Sequence, residues 1–239
     1  MHHPARSIVP MLALLACCAC RTPAVAVVAM DGATGAFETP AEWTAFCERL
    51  ASAGGLVLRE GLPDALRVLL AEYPRECWEG HRNLTALMRF WLERHLIFRE
   101  LEAALLAETR GLLAGDREPR EFAAQLARLG NAFLGDLQAH HGIEDLHFFP
   151  RLQRLDTRIA AGFDLLEADH HEIEPRLQAL AERANALLAA IREGAPTADG
   201  AGRLEAELLR LQGFLDRHLT DEEELVVPVI LANPDADLD

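Results

Sequence analysis

Four stretches of roughly thirty residues carry apolar side chains at steps of three and four, and this pattern constrains the fold more than any other feature. The first covers residues 78–113 and stops at Gly115-Asp116. The second covers 119–149 and stops around Pro150. The third covers 162–193 and ends in Gly194-Ala195-Pro196. The fourth covers 199–232, with Pro228 near its end, and stops before Asn233-Pro234. At 1.5 Å per residue each rod is about 45 Å long. No β-type alternation of useful length occurs, so the expectation is all-α: an up-down-up-down four-helix bundle over residues 78–232.

Upstream, residues 37–77 read as a short helical extension. Thr39-Pro40-Ala41-Glu42 supplies an N-cap, a proline at the first position and an acid in the first turn, and Pro63-Asp64 opens a second short helix that closes before Pro74. Residues 1–36 are expected to be a signal-like or lipoprotein-like leader, or an extension ahead of a true start at Met30. Residues 233–239 form a tail. Cys17, Cys18, Cys20, Cys47 and Cys77 show no repeated spacing and suggest no disulfide framework. The body is expected in the cytoplasm, or exported if residues 1–30 are a genuine leader, and no stretch of it reads as membrane-spanning. A net charge of -15 argues against nucleic-acid binding, and the absence of lysine among the 23 basic residues excludes a Schiff-base mechanism.

Histidine interrupts every apolar seam. The first rod reads Leu84, Met88, Trp91, His95, Phe98; the second reads Phe133, Leu137, His140, Glu144, Phe148. The third reads Phe163, Leu166, His170, Ile173, and the fourth Leu215, His218, Glu222, Leu225. In an antiparallel bundle, residues equally distant from a shared turn lie level. His95 and His140 are about 21 and 24 positions from the first turn, so they agree within one helical turn. The same reckoning brings His170 and His218 to that level. It puts His81, on the first seam, roughly 20 Å away.

His140/Glu144 and His218/Glu222 place imidazole and carboxylate on one face, one turn apart, and His170/Glu174 repeats the spacing. Buried charges are normally paired or bound to metal, so a metal-free helical interaction module would carry a large cost. Imidazole with carboxylate suits iron, manganese or zinc, and this set exceeds what one tetrahedral ion needs. It matches two ions bridged by carboxylates. A ferritin-like site needs two Glu-x-x-His pairs, whereas only Glu167-x-x-His170 fits.

The segments HHGIEDLHFFP (140–150), DHHEIE (169–174) and RHLTDEEELVVPVI (217–230), with the histidine of FWLERHLIF (90–98), resemble hemerythrin-like, HHE cation-binding proteins. That resemblance implies a four-helix bundle holding a bridged di-iron centre. It implies His95, His140, His170 and His218 as terminal ligands and Glu144 and Glu222 as bridges, with Glu174 a further candidate. Oxygen-carrying hemerythrins have a second histidine one turn after the third-helix ligand, where this chain has Glu174. Their fourth-helix carboxylate stands at the position of Glu223. An anionic ligand at Glu174 would disfavour reversible O2 release, so sensing, scavenging or storage is expected ahead of carriage. A di-iron or di-manganese oxidase or peroxidase is the alternative. Two iron ions are the expected cofactor, with manganese or zinc as substitutes, and O2, NO or peroxide the expected ligand. Asp145, Asp169 and Glu223 are expected to accept ring N–H groups of the ligands. His141, His147, His171 and Glu102 are read as outside the ligand set, on the surface or behind it.

Overall fold

The computed structural model describes residues 61–236. The leader, the helix expected from Thr39 and four of the five cysteines lie outside these residues. Every regular element described is helical. A 3-10 turn (Asp64–Leu66), α1 (Val68–Glu72) and a second 3-10 turn (Arg75–Cys77) precede the long helices α2 (Ala86–Ala114) and α3 (Pro119–Ile143). A π-helical turn (Glu144–Phe148) joins α3 to the short α4 (Phe149–Leu152), and α5 (Ala160–Glu193) and α6 (Ala198–Ala232) follow.

Local chemistry sets the ends. Thr85 caps α2 by accepting the Met88 N–H at 3.2 Å. The first rod therefore begins at Ala86, not at residue 78. The intervening stretch is held in turns instead: Trp78 Nε1 donates to the Tyr73 carbonyl and Asn83 Nδ2 to the Leu231 carbonyl. His81 accordingly lies on a turn and not on a helical seam. Gly115 and Gly194 close α2 and α5 at φ 79° and 69°, the left-handed region that glycine enters without a Cβ penalty. Each is followed by a 6→1 bond, Asp116 N–H to Gly111 O and Ala195 N–H to Ala190 O, which satisfies a terminal carbonyl.

The long helices meet in a ring. Each is in contact with two others, α2 with α3 and α6, and α5 with α3 and α6. Cross-helix contacts run antiparallel in two of these pairs. Along α2 and α6, Arg99 meets Asp216 while Arg110, further along, meets Glu205, earlier in its helix. Along α3 and α5, Gln138 meets Glu174 and Asp145 meets His170.

The apolar interior falls into two clusters. One holds Phe98, Phe122, Phe133, Leu137, Ile173, Leu215 and Leu219; the other holds Met88, Trp91, Phe149, Phe163, Leu166 and Leu225, together with Leu62, Leu66 and Leu69 from the N-terminal segment. Burying each large side chain contributes about 1.5–3 kcal/mol, so both clusters are substantial sources of stability. Between them runs a layer of buried polar side chains, and that layer is where the seam histidines lie.

Candidate metal centre

The π-helical turn aims the second helix's contribution. Pro150 cannot donate to the Leu146 carbonyl, and its ring crowds that carbonyl, so a regular α-helix is disfavoured there. The chain widens by one residue: the Phe149 N–H bonds the Glu144 carbonyl, five residues back. The buried residues then run Leu137, His141, Glu144, Phe149, Leu152. Phe149 takes the core position expected of Phe148, which is only half-buried.

His140 and His141 both turn inward. α3 lies between α2 and α5, so adjacent residues about 100° apart point to either side of the bundle axis. His140 faces α2, its Nε2 lying 3.0 Å from His95 Nε2. His141 faces α5, its ring stacked on His170 with centroids 4.1 Å apart. Two groups of donor atoms result. His95, His140, Glu144 and Glu222 form one; His141, His170 and His218 form the other; within each, the atoms lie within 4.8 Å of one another. Glu222 spans both groups. Its Oε2 is 3.4 Å from His95 Nε2, and its Oε1 is 3.1 Å from His170 Nε2 and 3.3 Å from His218 Nε2. Glu144 does likewise, with Oε1 at 3.0 Å from His140 Nε2 and Oε2 at 3.8 Å from His170 Nε2.

Six of the seven sequence candidates therefore meet in this layer. Glu174 does not. It is exposed on the outer face of α5, where Gln138 Nε2 donates to it at 3.4 Å. The buried stripe of α5 continues from His170 through Ile173 to Leu177, which leaves residue 174 rotated past it. His141 was the misplaced residue. A step of four from Leu137 reaches it, a signal equal in strength to the step of three that reaches His140.

Three ring nitrogens face carboxylates behind the cluster. His95 Nδ1 lies 3.2 Å from Glu223 Oε1, His170 Nδ1 2.7 Å from Asp145 Oδ1, and His218 Nδ1 3.4 Å from Asp169 Oδ2. An ionised carboxylate only accepts, so each of these Nδ1 atoms carries a proton and each Nε2 is turned to the interior. Arginines hold two of these acids: Arg75 and Arg99 reach Glu223 at 2.6 and 2.8 Å, and Arg217 reaches Asp169 at 3.2 Å. Trp91 Nε1 donates to Glu144 Oε1 at 2.6 Å, and its ring lies 3.9 Å from that of His95. Sequence reasoning found the three outer carboxylates but neither Trp91 nor the arginines.

Electrostatically the layer calls for positive charge. Burial disfavours charge on His170, yet hydrogen bonds to Asp145 and Glu222 push it up to about 10. His218 is also raised, with Glu222 and Asp169 outweighing its burial. Burial works against the charge on Glu222 as well, but His218 and His170 hold it well below the usual carboxylate range. Glu223 is drawn down to about 2 against its burial, chiefly by His95 and then Arg75 and Arg99. His141 is the exception: burial, with His170 and His218 beside it, keeps it neutral.

These residues fit a bound metal. The buried atoms His141 Nε2, His218 Nε2, Glu144 Oε2 and Glu222 Oε2 have no hydrogen-bond partner, and all four belong to residues of the two donor groups. Orphaned buried polar atoms are costly, and the facing lone pairs of His95 and His140 repel unless a proton or cation lies between them. A model of the hemerythrin HHE cation-binding domain matches residues 86–230. The chain belongs to that family. No curated protein and no solved structure matches it. In this HHE domain the layer of candidate donors draws on all four long helices, and the match begins at the first residue of α2. No helix among the described residues is long and apolar enough to cross a membrane.

Proposed function

We propose that this HHE protein holds two iron ions, one in each donor group, in an up-down-up-down bundle, and that it takes up O2 or a related small ligand such as NO or peroxide there. One observation carries the reading: histidine and glutamate donor atoms from four helices converge, several of them unpartnered, while the outer nitrogens of three of the rings rest on carboxylates. His95, His140, Glu144 and Glu222 would hold one ion, and His141, His170 and His218 the other, with Glu144 and Glu222 within reach of both. Iron bound there supplies redox chemistry and an affinity for small oxygen- or nitrogen-containing ligands.

The chain's own residues set the conditions. Glu223, Asp145 and Asp169 fix ring tautomers, Trp91 orients Glu144, and the two apolar clusters exclude bulk water. His95, His218 and Glu222 are fully buried and Glu144 nearly so, which favours small ligands over an organic co-substrate and weighs against an oxidase or peroxidase. Glu174, whose charge was the reason to expect sensing or scavenging ahead of carriage, stands outside the donor set, and His141 supplies a neutral ring instead. Reversible uptake thereby regains equal standing.

Anaerobically reduced, iron-loaded protein titrated with O2 tests the proposal. A spectral change that reverses on removing O2 indicates carriage, and stoichiometric irreversible oxidation indicates scavenging or sensing. No spectral response at all, or sustained turnover of an organic co-substrate, contradicts it.

A further inference from the structure

The HHE match begins at residue 86, yet one of the closest contacts behind the cluster comes from before it. Arg75 opens the 3-10 turn Arg75–Cys77, in the segment preceding α2. Its Nη1 donates to Glu223 Oε2 at 2.6 Å. The other oxygen, Oε1, faces His95 Nδ1 at 3.2 Å and receives Arg99 Nη1 at 2.8 Å. Both oxygens are thus pinned, and Arg75 alone among these groups holds Oε2. The guanidinium is itself placed by Trp78, over whose ring it lies at 4.6 Å, and Trp78 is fixed by its bond to the Tyr73 carbonyl. Arg67 makes a parallel contact that touches no histidine, reaching Glu224 Oε2 at 3.2 Å.

We propose that Arg75 is a positioning residue for the metal centre: by fixing Oε2 of Glu223 it holds Oε1 against His95 Nδ1 and keeps the His95 Nε2 lone pair aimed at the cluster. The segment ahead of the family domain then works as part of the site. The importance of Arg75 lies in orientation and not in stability, because a guanidinium 44% exposed gains little from an ion pair in water. Without it the carboxylate can turn about its side-chain bonds, and His95 loses a fixed acceptor for its proton. Partners behind a ligand typically change metal affinity 10–100-fold, and with Arg99 still present the expected loss is roughly tenfold. The affinity arm rests on His95 being a metal ligand, as proposed above.

The test compares R75A, R75Q, R75K and R67A in the full chain, with folding checked by circular dichroism and thermal midpoint. R75Q serves if R75A does not fold. Zinc(II) affinity is measured by chelator competition, and the His95 tautomer of the metal-free chain by long-range 1H–15N NMR. The expected result is that R75A and R75Q bind zinc roughly tenfold more weakly and lose the Nδ1–H tautomer as the single form. R75K, which restores a cationic donor that the R75Q amide lacks, should recover both, and R67A should leave both unchanged. Wild-type tautomer and affinity in R75A or R75Q would overturn the proposal, as would equal effects from R67A. A loss of affinity with the tautomer unchanged would overturn it too. If the wild-type chain binds no zinc or iron, the metal reading fails, and the tautomer comparison still decides the role of Arg75.

Discussion

Glu102 offers a prediction whose size can be worked from the structure. It lies on α2 seven residues past His95, 97% buried, with Oε1 lacking any hydrogen-bond partner. Burial, reinforced by the charge of Asp216 on α6, pushes its carboxyl from 4.5 to about 8. The nearby cation on its own helix, Arg99, is engaged by Asp216 and Glu223. The folded chain therefore keeps a proton that the unfolded chain releases above pH 4.5, so stability from this group falls as pH rises from about 4.5 to about 8. At about 1.4 kcal/mol per unit the loss is on the order of 5 kcal/mol by the top of the window. Glu102→Gln is neutral throughout and removes that slope. The assay is urea unfolding of wild type and variant from pH 5 to pH 9, plotted as the difference between them so that all other titrations cancel. The variant should gain steadily on the wild type up to about pH 8 and then hold level. Parallel curves, or a gain toward acid, would refute the reasoning.

Three further substitutions address the site. Glu174→Ala and His171→Ala should leave metal content at the wild-type level by elemental analysis, because both side chains are exposed; loss in either would show that the outer face of α5 takes part. Trp91→Phe keeps the aromatic packing but removes the donor 2.6 Å from Glu144 Oε1, and zinc(II) affinity should fall roughly tenfold. An unchanged affinity would show that Glu144 is oriented without it.

Much of this organisation can be read from residue spacing, because burial and helical period act together. The seams of Phe122, Leu126, Leu129 and Phe133, and of Leu204, Leu208, Leu211 and Leu215, face the core as the steps of three and four require. Gly115 and Gly194 close their helices because only glycine takes that backbone conformation cheaply. The level of the histidines follows from the rise per residue, and the polar layer between the two apolar clusters lies where it should. The misses have separate causes. Trp78 and Leu84 extend the apolar spacing upstream, yet they are held by turns, and Thr85 sets the true helix start. The spacing rule assumes an unbroken α-helix, so it does not register the widened turn at Glu144–Phe148. It also treats one residue per turn as facing inward, whereas His140 and His141 both do. Glu174 satisfies the four-residue rule but falls to the side of a stripe that Ile173 occupies. Glu102, near the first seam but two turns from His95, reads from spacing as solvated or behind the ligands, whereas it is buried and feels the charge of Asp216 on α6.

Metal stoichiometry, measured by elemental analysis of the chain and its His141→Ala variant, tests the central claim most directly. The wild type should carry one ion for each of the two donor groups, and the variant, which loses a ring from only one group, should retain about half of that. A wild type that carries no metal, or a variant as fully loaded as the wild type, would contradict the two-centre reading.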